Sequence, residues 1–293
     1  MTTQTNKDTV ATNIAPSDLV DHDRYPIEDL DNPIREEIIQ EIRNSLERDG
    51  CALLKGFLSA HGLTSILNEA LERRALAYFS NNNQTNAYFS APDQSLPESH
   101  PVNILMERSN GFITSNNFEA ESICRQFYLW QPLSRFLAEC LNKPKLHIYA
   151  DPISNMIVNV CTPGTQFNWH FDTNEFTITM LLKPATSGGY FEYVPDIRTS
   201  RSENFEAVSE VLNGDRKKVK RLNLQPGDLQ FFLGRYSLHR VTRNTGNDDR
   251  LLIIMSFTEE PGVIGNKERV RQLYGKTTAA HEQQKIRSDG LRD

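Results

Sequence analysis

Nothing in the 293 residues approaches the 18 or more consecutive apolar positions that a membrane-spanning helix requires. The first residues also lack the apolar stretch of a secretory leader, so the expected location is cytoplasmic. Cysteine is scarce: Cys51, Cys124, Cys140 and Cys161 lie far apart and form no C-x-x-C pair. That spacing argues against a disulfide scaffold or a zinc knuckle and fits a reducing compartment. Cys161 reads as a small buried hydrophobe. Positive charge is nowhere massed. With a net charge of −6 and Lys and Arg spread along the chain, no nucleic-acid surface is expected. No segment repeats.

A hydrophobic content of 38% is sufficient for one sizeable core. Residues 1–17 are polar and poor in aromatics, the composition of a mobile arm, which leaves 18–293 as a single domain. Its first part, 18–145, has helical texture. Ile34, Ile38, Ile42 and Leu46 share one face of a predicted helix over 33–48, which Asp49-Gly50 ends. A short buried strand over 51–58 and a helix from about 63 to 79 follow, and helical periodicity returns at 118–141. Between them, residues 80–117 are rich in Asn, Ser and Pro, a long irregular segment of the kind that serves function or is disordered.

From 146 to 258 the texture is β. Short apolar runs (147–150, 155–160, 176–182, 190–194, 219–224, 229–232 and 251–257) alternate with turns such as Thr162-Pro163-Gly164 and Pro226-Gly227-Asp228. The expected fold is therefore mainly β with flanking helices, a sandwich or jelly roll. An amphipathic stretch in 199–216 reads as a short helix on the edge of that body. The tail, 259–293, is polar and reads as helical from Asn266, packed outside the barrel or against another subunit in a homo-oligomer.

Within the β region, His170 and Asp172 stand two positions apart in Phe167-Asn168-Trp169-His170-Phe171-Asp172-Thr173. On an extended segment such residues point to the same side. One imidazole and one carboxylate on a shared face need only a second imidazole to hold divalent iron, the two-His, one-carboxylate arrangement of non-heme iron sites. His239 offers it, behind the turn at Pro226-Gly227-Asp228. Alone, a His-x-Asp pattern arises often by chance; the second His and an Arg at position 250 give it weight. Arg250 opens the apolar strand 251–257, and its planar fork suits a carboxylate. Arg240 and Arg243 flank the same region and compete for that role.

His170-x-Asp172, His239 and Arg250, with Pro226-Gly227-Asp228 and His239-Arg240-Val241 between them, resemble the Fe(II)/2-oxoglutarate-dependent dioxygenases. The resemblance covers roughly 146–258 and implies a double-stranded β-helix, a cupin-like jelly roll open at one end. It implies His170, Asp172 and His239 as ligands of Fe(2+), and Arg250 as the partner of the distal carboxylate of 2-oxoglutarate. Asn159, in Asn159-Val160-Cys161, lies where plant-type members keep an Asn near the co-substrate. The stretch 172–176, together with Gly188–Arg198, looks like members that modify small molecules in secondary metabolism. That likeness makes Asn174 and Arg198 candidate substrate contacts.

The resemblance further implies a cycle in which 2-oxoglutarate and O2 yield succinate and CO2 while a C–H bond of a small molecule is oxidised, most simply hydroxylated. Desaturation, epoxidation or cyclisation are alternatives at the same site, as is a cupin-type metalloenzyme that makes no use of 2-oxoglutarate. In related halogenases Gly or Ala replaces the carboxylate and leaves room for chloride; the carboxylate at 172 points to oxygenation instead. Residues 80–117 and 199–216 are the candidate lids.

Overall fold

A computed structural model describes residues 14–81, 83–283 and 290–292. The first thirteen residues of the expected arm lie outside the described range. Its last ones are already ordered: Pro16–Leu19 form a 3-10 turn that buries Leu19 completely. The chain then runs through α1 (Pro33–Asp49), β1 (Cys51–Leu54), α2 (Ala60–Glu72), β2 (Tyr78–Phe79), β3 (Gln84–Thr85), β4 (Met106–Glu107), β5 (Gly111–Ile113), α3 (Ile123–Leu129) and α4 (Gln131–Cys140). It continues with β6 (His147–Ile148), β7 (Met156–Cys161), β8 (Phe167–His170), β9 (Thr177–Lys183), β10 (Phe191–Val194) and α5 (Phe205–Leu212). The last elements are β11 (Lys220–Leu222), β12 (Leu229–Phe232), β13 (Leu238–Val241), β14 (Arg250–Met255), β15 (Phe257–Thr258) and α6 (Lys267–Tyr274).

Two antiparallel sheets carry the molecule. The larger has the order β1-β12-β9-β14-β7-β5-β2, and the smaller β11-β10-β13-β8. Strand alternation sorts the larger sheet's side chains cleanly. Val158, Val160, Ile178, Met180, Leu182, Leu229, Phe231, Leu251, Ile253 and Met255 face α1 to α4 in one apolar cluster. Their alternates, Ile157, Cys161, Leu181, Phe232 and Leu252, meet Phe167, Phe191, Tyr193 and Val241 of the smaller sheet. Each fully buried side chain of this size contributes roughly 1.5–3 kcal/mol. The smaller sheet's outer face packs Trp169, Val194 and Leu238 against α5 and Tyr88. The result is the expected jelly-roll sandwich with a helical flank, and the inner faces of its two sheets enclose the site.

The helices follow the sequence with local corrections. The buried row of α1 is Arg35, Ile39, Ile42 and Leu46; Ile34, in the first turn, is half exposed. Gly50, at φ +64°, caps that helix in the left-handed conformation that glycine adopts without strain. The helical stretch expected at 118–141 is broken at Trp130, because Pro132 in the first turn of α4 cannot supply an amide to a continuous helix. Residues 80–117 are compact. They contain β3, β4 and β5, and in the loop between β3 and β4 Asn86 accepts bonds from the amides of Tyr88 and Ser90 and donates to the carbonyls of Ser90 and Val102.

All four cysteines are free and buried. No helix among the described residues is long and apolar enough to cross a membrane.

Candidate metal centre and co-substrate pocket

His170 closes β8 and His239 sits in β13, directly opposite it in the ladder. Their ring centroids are 4.1 Å apart. Asp172 lies beyond the end of β8, so strand alternation is not what brings it to the same side. The loop is held from several directions instead. The Phe171 amide donates to Ala87, the Asp172 amide to Gly234 at 3.1 Å, and Arg235 Nη1 to the Thr173 carbonyl at 2.8 Å. Asp172 Oδ1 thereby stands 3.5 Å from His239 Nε2. Ligand atoms of His170, Asp172 and His239 all lie within 4.8 Å of one another.

Hydrogen bonds set the chemistry of each ligand. Nδ1 of His170 contacts the Asn168 carbonyl at 2.7 Å, and Nδ1 of His239 the Ser237 carbonyl at 3.0 Å. A carbonyl only accepts, so both Nδ1 atoms carry the proton and both Nε2 lone pairs are left for a metal. Burial, reinforced by His239, holds the pKa of His170 well below the ordinary imidazole value despite Asp172. Burial pushes the Asp172 carboxyl up, but the two imidazoles and the Thr177 hydroxyl, 2.7 Å from Oδ2, outweigh it. The carboxylate stays ionised. A neutral imidazole at His170 and an anionic carboxylate at Asp172 are the protonation states a divalent cation needs. Phe167 stacks on His170 at 3.7 Å between centroids, while Phe232 and Phe191 border His239, so the imidazoles are walled by rings.

A cavity of about 150 Å³ opens over these ligands. Arg250 enters it from the first residue of β14, opposite Cys161 of β7. Its side chain is buried, its Nη1 has no hydrogen-bond partner, and no carboxylate pairs with it among the described residues. Burial lowers its pKa, yet guanidinium remains charged. An orphaned buried guanidinium in a cavity that also holds three metal-ligating groups fits an organic diacid spanning the two. The competing arginines are engaged elsewhere: Arg240 with Glu192 at 2.7 Å and Arg243 with Glu107 at 2.6 Å.

Asn159 and Asn174 also line the cavity. The Asn159 side-chain Oδ1 accepts a bond from the Cys161 thiol at 3.4 Å, and the Asn174 side-chain oxygen is buried without a partner. Arg198 is not brought there. It is fully buried in a different place, where it pairs with Glu203 at 2.9 Å, donates to the Arg235 carbonyl and lies 3.9 Å from the Phe171 ring centroid. Its role there is to brace the loop that carries Asp172 from behind.

Several lining residues escape sequence reasoning. Gln230 and Thr179 bond to each other across β12 and β9 at 2.9 Å, a further polar pair on the inner face that also carries Asn159 and Arg250. A glutamine inside Leu229-Gln230-Phe231-Phe232 was a legible signal. The tail gave none. Instead of packing outside the barrel, α6 brings Arg269, Leu273 and Tyr274 into the cavity wall and buries Val270, Leu273 and Tyr274 in its own chain. Of the two candidate lids, 80–117 supplies Phe112 to the wall and 199–216 supplies nothing, because α5 packs on the outer face of the smaller sheet.

His170 and His239 on one of two facing antiparallel sheets, Asp172 on the loop that follows β8, and a buried Arg250 on the other sheet form a site that can hold a divalent metal ion beside an organic diacid. The model of the family described as Halogenase D matches residues 34–266, and the chain belongs to that family. No curated protein sequence matches it significantly. Among solved structures, the likeness is one of fold. A prolyl hydroxylase from Trichoplax adhaerens, solved with a hypoxia-inducible factor peptide, superposes with a TM-score of 0.51 at 15% identity, over 80% of this chain and 93% of that one. A 2OG-Fe(II) oxygenase-family oxidoreductase from Burkholderia pseudomallei gives 0.50 at 13%, over 76% and 91%. The non-heme α-ketoglutarate-dependent carbocyclase SnoK from nogalamycin biosynthesis gives 0.52 at 14%, over 76% and 85%.

Proposed function

We propose that this protein oxidises a C–H bond of a small molecule, most simply by hydroxylation, and couples the step to conversion of 2-oxoglutarate into succinate and CO2. One observation carries the reading: an ionised Asp172 completes a three-ligand face on a cavity into which the unpaired fork of Arg250 projects. His170, Asp172 and His239 would hold the iron, and Arg250 the distal carboxylate of 2-oxoglutarate, with Asn159 beside it. Bound there, iron and 2-oxoglutarate supply the activation of O2. The chain's own part is orientation and exclusion of water. Its aromatic wall, Phe112, Phe167, Phe191, Phe232 and Tyr274, keeps the site dry, and the open oxygen of Asn174 is placed to accept a bond from a substrate O–H or N–H.

The family's description raises halogenation as a second reading. Asp172 speaks against it, since its carboxylate fills the position that must be vacant for a halide. Incubation with Fe(II), 2-oxoglutarate, ascorbate and chloride over a panel of small metabolites decides between them. Succinate release with an oxygen-containing product supports oxygenation, a chlorinated product would favour halogenation, and succinate release that survives His170→Ala would remove the iron site from the account.

A further inference from the structure

Arg198 and Glu203 form an ion pair at 2.9 Å whose side chains are 0% and 11% exposed, and neither lines the cavity. The backbone of Arg292, far along the chain, brackets that pair. Its amide donates to Glu203 Oε1, and its carbonyl accepts from Arg198 Nη1 at 3.2 Å. Nη1 also donates to Glu203 Oε2 at 2.9 Å. Guanidinium, carboxylate and the two backbone groups of one residue therefore close a circuit of hydrogen bonds. Its links to Arg292 span 89 and 94 positions.

What the circuit holds is the flat face of Arg198. The guanidinium lies 3.9 Å from the Phe171 ring centroid, and Phe171 stands between the ligands His170 and Asp172. Arg198 Nε donates to the Arg235 carbonyl at 2.6 Å, and Arg235 Nη1 in turn donates to the Thr173 carbonyl at 2.8 Å. The Gly234 carbonyl, next to Arg235, accepts the Asp172 amide. Arg198 thus touches both segments whose contact sets Asp172, through a ring on one side and a carbonyl on the other. A planar fork keeps its face on a ring only while the acceptors in its plane hold it there. Arg235, Glu203 and Arg292 supply those acceptors. Asp172 lies beyond the last residue of β8, so its position depends on support of this kind.

We propose that Glu203 and the backbone of Arg292 are positioning groups for the metal ligand Asp172, acting through Arg198 and Phe171, so that retention of the metal depends on residues 290–292 being docked. The proposal rests on the reading of His170, Asp172 and His239 as a metal centre. It adds a support that enters from outside the cavity and from a part of the chain remote from every ligand.

The test reads metal retention and not turnover. The protein is loaded with Co(II) under nitrogen, and release is timed after a metallochromic chelator is added in excess. Groups that support a metal ligand are worth about 10–100-fold, so Glu203→Gln, one step further out, should release Co(II) about tenfold faster than the parent and alter its visible band. Arg292→Pro removes the amide that donates to Glu203 and keeps the carbonyl. It should release the metal about threefold faster or more, through loss of one charge-assisted bond. Arg292→Ala retains that amide and should match the parent. Glu139→Gln breaks another ion pair, Arg35–Glu139 at 2.8 Å on the helical flank. It should lower the thermal midpoint and leave release unchanged. Release within twofold of the parent in Glu203→Gln overturns the proposal. So does equal release from Arg292→Pro and Arg292→Ala, or an acceleration in Glu139→Gln as large as in Glu203→Gln, which would make the effect one of general stability. Should Glu203→Gln fail to fold, the two Arg292 variants carry the comparison. A parent protein that binds no Co(II) removes the metal-centre reading itself, a result separate from the others.

Discussion

Gly234 and Asp172 are in such close contact that a Cβ on residue 234 would lie 2.0 Å from Oδ2 of the carboxylate. The two residues are also joined through the Asp172 amide, which donates to the Gly234 carbonyl. The position is glycine because the backbone between β12 and β13 runs directly behind the ligand. Gly234→Ala should therefore rotate or displace Asp172 while leaving both imidazoles in place. Fe(II) affinity is expected to fall by about tenfold or more, the size of effect seen when groups supporting a ligand are lost. Equilibrium dialysis against Fe(II) measures this; parental affinity would mean that Asp172 is not a ligand.

Thr177 supports the same carboxylate from the first residue of β9, with its hydroxyl 2.7 Å from Oδ2. Thr177→Val keeps the shape and removes the bond. A loss of roughly 10–100-fold in metal affinity or turnover is expected. Thr177→Ser should recover most of it, and that rescue separates the hydrogen bond from packing.

Arg250 should act on the co-substrate and not on the metal. Replacing a buried charged hydrogen-bond partner costs about 1.5–3 kcal/mol, so Arg250→Gln should raise the Kd for 2-oxoglutarate roughly 10–150-fold at unchanged Fe(II) affinity. Arg250→Lys keeps the charge but loses the fork, and an intermediate value is expected. Isothermal titration of the metal-loaded protein provides both numbers.

Glu175 gives a pH dependence of definite sign. Burial, a hydrogen bond with Glu259 and the charge of that neighbour raise its pKa above the ordinary carboxyl value, against the Tyr236 hydroxyl at 3.1 Å. Above the unfolded value the folded chain binds the extra proton, so the group's contribution is fully present below pH about 4.5 and is lost as pH rises through the folded pKa. Chemical denaturation of Glu175→Gln across pH 4–8 should show a stability gain over the parent that grows with pH. A gain that shrinks as pH rises would contradict the assignment.

The tail is held by a buried clasp. Nε2 of His281 lies 3.0 Å from Asp151 Oδ2, which also accepts the Gly265 amide, while Asp151 Oδ1 accepts those of Ile153 and Ser154. Because the Thr278 amide donates to His281 Nδ1, the proton of the ring sits on Nε2 and points at Asp151. Asp151→Ala removes a buried charged acceptor and should destabilise the protein by about 1.5–3 kcal/mol. Limited proteolysis should then cut first within 265–283, the segment that carries Arg269; unaltered cleavage would show that the clasp does not secure the wall.

The elements legible in the sequence were those with a local physical cause. Short apolar runs bounded by turn residues marked β7, β9, β12 and β14; in the folded sheet, strand alternation then separates Arg250 and Asn159, facing inward, from Leu251 and Val160, facing the helices. The ligand set could be read because His170 and Asp172 are near neighbours and His239 follows a turn that returns the chain. The compact packing of 80–117 could not be read, since it depends on Asn86 reaching a carbonyl sixteen residues away. Arg198 looked available at the end of a strand, and only its burial against Glu203 and Phe171 shows it to be a brace.

By itself the sequence determined the chemistry on offer: which side chains can ligate, which cation can meet a carboxylate, and which runs must pair into sheets. Those follow from residue type and from contacts a few positions apart. The tertiary structure alone decided that Asp172 faces His239 from beyond its strand, that Gly234 leaves it room, and that a polar tail supplies Arg269 to the wall. The bond from Arg269 to Phe171 spans 98 positions, and a contact of that separation leaves no periodic trace in the chain. It exists because α6 folds back onto the cavity wall, where Val270, Leu273 and Tyr274 are buried among residues of both sheets.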